Sequence, residues 1–201
     1  MNFKFLYIIV IVLFSHFNIN AQEKANSQWN LRFGYSRINH QWCNLGEFTV
    51  EGNYRVNKLI EAGVYAGYSE TMQKKVLYDE YGFINGTRYI DASVLSYGIN
   101  SYFHLSSLFL KDNSRLGIRV IARPGCFFVF ADEGATPQGH YFTFRPGLGI
   151  DFRPFRKMGI FGEYVYGFGD GTYRACKDDN GWGTDNKKHI GSFRFGINIL
   201  L

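Results

Sequence analysis

Apolar and polar residues alternate at every second position in segment after segment of this chain. That period places successive side chains on opposite faces of a β-strand. Leu31, Phe33 and Tyr35 alternate with Arg32, Gly34 and Ser36. Phe48, Val50, Tyr54 and Val56 alternate with Thr49, Glu51, Asn53 and Arg55. After a tight turn at Asn57-Lys58, Ile60, Ala62, Val64, Ala66 and Tyr68 face away from Glu61, Gly63, Tyr65 and Gly67. Tyr89 to Leu105 is a longer, less regular strand with Leu95, Tyr97, Ile99, Phe103 and Leu105 on one face. Three more follow, around Leu116 to Arg123, Phe142 to Arg153 and Ile160 to Phe168. The last sets Phe193, Phe195, Ile197, Ile199 and Leu201 against Ser192, Arg194, Gly196 and Asn198. With 20 Phe, 14 Tyr, 23 Gly and only 4 Pro, the composition agrees with an all-β chain of eight strands.

The connections alternate in length. Those near Asn57, Phe109 to Ser114 and Pro154 to Lys157 are short. Segments Arg37 to Gly46, Ser69 to Thr87, Ala131 to His140 and Gly169 to Lys187 are longer and polar, and are expected to be loops. Ahead of all this, a positive start (Met1 to Lys4), an apolar run (Phe5 to Phe14) and a polar stretch ending at Ala21 have the order of a secretory signal peptide. The run is shorter than the ~20 residues of a membrane-spanning helix. Residues 1–21 are therefore expected to be cleaved, leaving 22–201 as one domain.

Alternation alone does not say which face is the outside, because a lipocalin-like barrel has its apolar face inward. The charges decide. Within the strands the polar face carries Arg32, Arg55, Arg119, Arg123, Arg145, Arg153 and Arg194 with Glu51, Glu61, Asp151 and Glu163, and no Lys. A water-facing surface mixes Lys among its charges, whereas a confined interior favours the planar guanidinium, which satisfies several acceptors at once. These residues are expected to form an internal charge network, with glycines such as Gly63, Gly149 and Gly196 making room. Aromatics near the strand ends, such as Trp29, Tyr54, Tyr68 and Tyr164, suit interfacial girdles. The expected fold is an eight-stranded antiparallel up-and-down transmembrane β-barrel with short periplasmic turns and longer extracellular loops.

The leader ending in Ala-Gln, the segment PGLGIDFRPFRKMGIFGEYVYGFG (Pro146 to Gly169) and the final strand SFRFGINILL resemble the outer-membrane β-barrel domain proteins common in Bacteroidota. That resemblance covers the whole mature chain. It implies a bacterial outer-membrane location, contact with membrane lipid and lipopolysaccharide, and handling by the barrel-assembly machinery through the C-terminal strand. The chain departs from the pattern by ending on Leu201, where such barrels usually end on an aromatic.

Little in the sequence carries chemistry. Export implies an oxidising compartment. In an eight-stranded barrel the first and last strands are neighbours, so a Cys43–Cys176 disulfide between their loops is an expectation, with Cys126 left over. His104-Leu105-Ser106 has a spacing found in lipid A-modifying hydrolases but falls at the periplasmic end; His40, His140 and His189 have no defensible Ser and acid beside them. Lys177 to Asn186 is rich in oxygen ligands without an EF-hand spacing. Lys74-Lys75 and Lys187-Lys188 sit in loops, within reach of anionic lipopolysaccharide. The formal net charge of +5 includes the internal arginines and is no argument for nucleic acid. The expectation is a monomeric, non-enzymatic barrel without cofactor or metal, structural or surface-interacting in adhesion, envelope integrity or partner binding. The alternatives are a narrow channel or binding barrel for a small solute and, behind it, a lipid A-modifying enzyme.

Overall fold

The computed structural model describes residues 29–40, 43–110, 115–130, 138–155, 157–169 and 190–201. Ten strand segments follow one another: β1 (Trp29–His40), β2 (Cys43–Arg55), β3 (Ile60–Tyr78), β4 (Ile84–His104), β5 (Leu116–Ala122), β6 (Pro124–Phe130), β7 (Gly139–Phe144), β8 (Gly147–Phe152), β9 (Met158–Gly167) and β10 (Ile190–Leu200). A helical turn, Ser106–Phe109, sits between β4 and β5. β5 and β6 both pair with β4 in one continuous register. They are separated at Arg123, beside Pro124, which has no N–H to give a ladder. β7 and β8 are likewise two halves of one strand, interrupted beside Pro146. Each strand pairs antiparallel with its sequence neighbour, and β1 with β10 (Asn30↔Leu200 to Arg37↔Phe193) closes the ring. The result is a closed eight-stranded antiparallel β-barrel, the fold expected from the alternation.

The wall is staggered. Ladder partners traced from Arg55 through Glu61, Tyr102, Ile121, Gly147, Val165 and Ser192, one step beyond the Arg37↔Phe193 pair, return to β2 at Leu45, about ten residues from where they began, which tilts the strands by roughly 40°. Turns at one end are short. Asn57 Oδ1 accepts from the backbone N–H of Leu59 and Ile60, each at 2.8 Å, and so fixes the β2–β3 turn.

Two expected loops are strand instead. β1 and β2 stay paired to His40↔Cys43, well into the segment Arg37 to Gly46. β3 and β4 stay paired from Thr71↔Ala92 to Tyr78↔Ile84, so most of Ser69 to Thr87 is a two-stranded ribbon, and Lys74 and Lys75 lie in β3. In these ribbons the sequence no longer alternates apolar with polar residues, so the contrast that reveals a strand is lost there. The leader, Cys176, Lys177 to Asn186, Lys187-Lys188 and His189 lie outside the described residues.

Candidate functional site

The barrel reverses the usual burial of a water-soluble domain, in which charges are almost never fully buried unless paired. Outward positions carry Phe48, Val50, Val64, Ile99, Leu148, Ile150, Ile160, Phe193 and Phe195, all exposed. Aromatic pairs flank this belt at both ends: Tyr35–Phe48 (centroids 4.8 Å apart) and Tyr164–Phe193 (4.9 Å) above, Trp29–Tyr54 (5.3 Å) below. The lumen-facing positions are polar and sealed. Arg32, Arg119, Arg123, Arg145 and Arg194, with Glu47, Glu51, Glu61, Asp151 and Glu163, are each at most 3% exposed. Five cations face five anions, so these buried charges are formally balanced.

Their contacts form three tiers. In the central tier Arg194 Nη1 meets Glu163 Oε2 at 2.9 Å while its Nη2 meets Glu51 Oε1 at 2.6 Å. Arg123 Nη2 reaches Glu51 Oε1 at 2.6 Å and Glu163 Oε2 at 3.5 Å. Arg119 joins Glu163 (2.5 Å) to Asp151. Arg32 joins Glu163 (3.5 Å) to Glu61 (3.4 Å). Glu163 therefore faces four guanidiniums. Tyr102 is wedged among them: its hydroxyl donates to Glu51 Oε2 at 2.6 Å and accepts from Arg123 at 2.9 Å. Its ring lies 4.4 Å from the Arg32 guanidinium carbon and 4.9 Å from that of Arg119, in reach of cation–π attraction.

The lower tier holds Glu61, which accepts from Asn30 at 3.0 Å and lies 3.1 Å from His104 Nε2. Asn198 donates to Asp151 at 3.0 Å. In the upper tier Arg145 meets Glu47 at 2.8 Å across the lumen, from β7's side of the wall to β2. Glu47 also accepts from Ser36 at 3.0 Å and from Ser96. Above it the lumen-facing Val94, Phe127 and Val129 are fully buried. Glycine opens space at two crowded points. A Cβ at Gly34 would lie 2.6 Å from Arg194 Nε, and one at Gly149 3.0 Å from Arg119 Nε.

The structure thus brings together nine of the charged residues singled out in the sequence: Arg32, Glu51, Glu61, Arg119, Arg123, Arg145, Asp151, Glu163 and Arg194. Arg55 and Arg153 stand at the rim instead, part-exposed, with Arg55 Nη2 donating to the Lys58 carbonyl at 3.1 Å. Glu47, Tyr102 and His104 complete the network and were not anticipated. Glu47 sits one residue before the expected start of its strand. Tyr102 and His104 share the lumen-facing parity of Asn100, which was the available signal.

Other candidates fall elsewhere. The His104 imidazole is spent on Glu61. His140 lies on the outer wall, its Nδ1 2.7 Å from the Tyr97 hydroxyl. Cys43 begins strand β2 rather than lying in a loop; its pairing with Cys176 concerns atoms outside the described residues. Cys126 is a free, part-buried thiol. Among the described residues no group of three His, Cys, Asp or Glu is placed to hold a metal ion.

No family model matches the chain, and no curated relative is detected. Solved structures do match. The N-terminal β-barrel domain of Pseudomonas aeruginosa OprF aligns with a TM-score of 0.52 at 10% identity, over 87% of this chain and 97% of that one. Neisserial surface protein A aligns with a TM-score of 0.52 at 11% identity, over the same shares. At such identities the likeness speaks for the fold alone: this chain has the architecture of small outer-membrane eight-stranded barrels.

Proposed function

We propose that this protein is an exported outer-membrane barrel, of the Bacteroidota type its sequence resembles, that acts as a structural and surface-interacting element and not as an open pore or an enzyme. One observation carries the reading: the buried lattice of Glu51, Glu163, Arg119, Arg123 and Arg194 crosses the lumen on salt bridges of 2.5–2.9 Å. An eight-stranded barrel has a lumen just wide enough for side chains to fill, and here they fill it. Membrane lipid covers the apolar belt, the β10 strand is the handle for assembly, and the monomer suffices, since closure leaves no free edge in the wall.

With the lumen occupied, interaction falls to the long-connection end. The β3–β4 ribbon ends in a turn fixed by Asp79, whose Oδ1 accepts from Tyr81 N–H at 3.0 Å and Phe83 N–H at 2.8 Å. That turn displays Tyr81 and Phe83, 77% and 71% exposed, the kind of aromatic anchor that partner surfaces use. Conductance in planar bilayers tests the proposal. Purified protein is expected to give no steady open level, and a reproducible ohmic channel refutes the filled lumen.

A further inference from the structure

The two ends of the barrel differ sharply in charge. The short-connection segments 55–59, 105–115 and 153–157 carry seven basic residues (Arg55, Lys58, Lys111, Arg115, Arg153, Arg156, Lys157) and one acid, Asp112. The long-connection segments 37–46, 70–92, 131–141 and 168–191 carry eight basic and ten acidic residues, so the asymmetry belongs to one end and not to the chain as a whole.

That basic end is built, not frayed. Ser107 Oγ donates to the Lys58 carbonyl at 2.8 Å, tying the helical turn to the β2–β3 turn. His104 N–H donates to the Leu59 carbonyl at 2.7 Å and Leu200 N–H to the Lys157 carbonyl at 2.8 Å. Arg153 N–H donates to the Arg115 carbonyl at 2.8 Å, one step beyond the Leu116↔Phe152 pair. Arg115 and Arg153 are thus cross-strand neighbours of like charge, an arrangement that destabilises a sheet and is eased here only in part, by the attraction of Glu61 for Arg153. The same connections carry exposed apolar side chains, Leu108, Phe109 and Phe155. An apolar belt bordered directly by basic residues, with exposed Phe among them, suits a bilayer leaflet passing from hydrocarbon to phosphate.

We infer that this rim is a docking surface for anionic phospholipid headgroups of the leaflet at the short-turn end, with Arg115, Arg153 and Lys157 taking the phosphates. The inference rests on the membrane-barrel reading above. Its chemistry requires a lipid carrying net negative charge; a zwitterionic headgroup brings its own cation to the rim and gains little.

The test is native mass spectrometry of the full chain released from nanodiscs of phosphatidylcholine and phosphatidylglycerol in equal amounts. The protein is expected to retain phosphatidylglycerol at least tenfold over phosphatidylcholine, each surface cation adding roughly a fewfold. The triple variant R115Q/R153Q/K157Q is expected to lose that preference, and R115K/R153K to keep it. Equal retention of the two lipids by the wild type overturns the inference, as does a preference that survives in the triple variant. Boiled and unboiled gel mobility separates the two levels. Without a heat-dependent shift the membrane-barrel reading itself falls; a normal shift with no lipid preference removes the docking rim alone.

Discussion

Glu163→Gln is the most informative single substitution, because it keeps the side chain's volume and removes one charge from the centre of the lattice. Glu163 lies 2.5 Å from Arg119, 2.9 Å from Arg194, and 3.5 Å from both Arg32 and Arg123. None of the four is stranded by its loss: Arg194 and Arg123 keep Glu51, Arg119 keeps Asp151, and Arg32 keeps Glu61. The cost is one uncompensated positive charge in a sealed interior. Breaking a buried pair costs about 3–5 kcal/mol, and with every guanidinium still partnered the value expected is near the lower limit, about 3 kcal/mol. Adding Arg119→Gln restores the balance of charges, so the double variant is expected to recover at least about 1 kcal/mol relative to the sum of the singles. Reversible urea unfolding in lipid vesicles, followed by Trp fluorescence, measures both quantities. An E163Q protein as stable as wild type, or a strictly additive double variant, refutes the idea that the lattice is held by charge balance.

Other expected outcomes follow from the same geometry. Tyr102→Phe keeps the ring between Arg32 and Arg119 but removes the hydroxyl bonds to Glu51 and Arg123; unfolding should show a loss of about 1–3 kcal/mol. Gly196→Ala drives a methyl against the Phe33 carbonyl and to 2.8 Å from the Phe161 ring, and should cost about 1–3 kcal/mol in the same assay. Gly52→Ala, whose Cβ would meet nothing within 4 Å, should stay within about 0.5 kcal/mol of wild type. In planar bilayers, neutralising Glu47 and Arg145 together should leave the lumen closed, because Val94, Phe127 and Val129 and the central tier remain; a stable channel in that variant assigns the seal to the upper pair.

Most of the architecture was legible because a wall with an apolar outside and a charged lumen exaggerates the two-residue period. Leu148, Ile150 and Phe152 can face only the outside, while Gly147, Gly149 and Asp151 can face only the lumen. The restriction of the buried, lumen-facing charges to Arg and carboxylate marked the inside, since a guanidinium can be satisfied in a dry lumen by several partners. Legibility ended where the two environments stop differing. Thr71 to Tyr78 and Ile84 to Ala92 pair as strands with no apolar face to announce them. The alternation of the fifth strand runs from Leu116 to Arg123, yet pairing with β4 continues to Phe130. The network's pairings were not readable at all. Arg145 and Glu47 are 98 residues apart, and only the closed register brings them across the lumen from each other.

The apolar face is the outside of a closed barrel. Gel mobility in SDS of the membrane fraction, unboiled against boiled, tests it most directly. A closed ladder has no free edge from which to fray, so the unboiled protein should keep its fold and migrate differently from the boiled chain. A protein recovered in the soluble fraction, with one mobility under both conditions, would mean that the polar face is the surface and the apolar face the interior, and would contradict the burial of the lumen arginines.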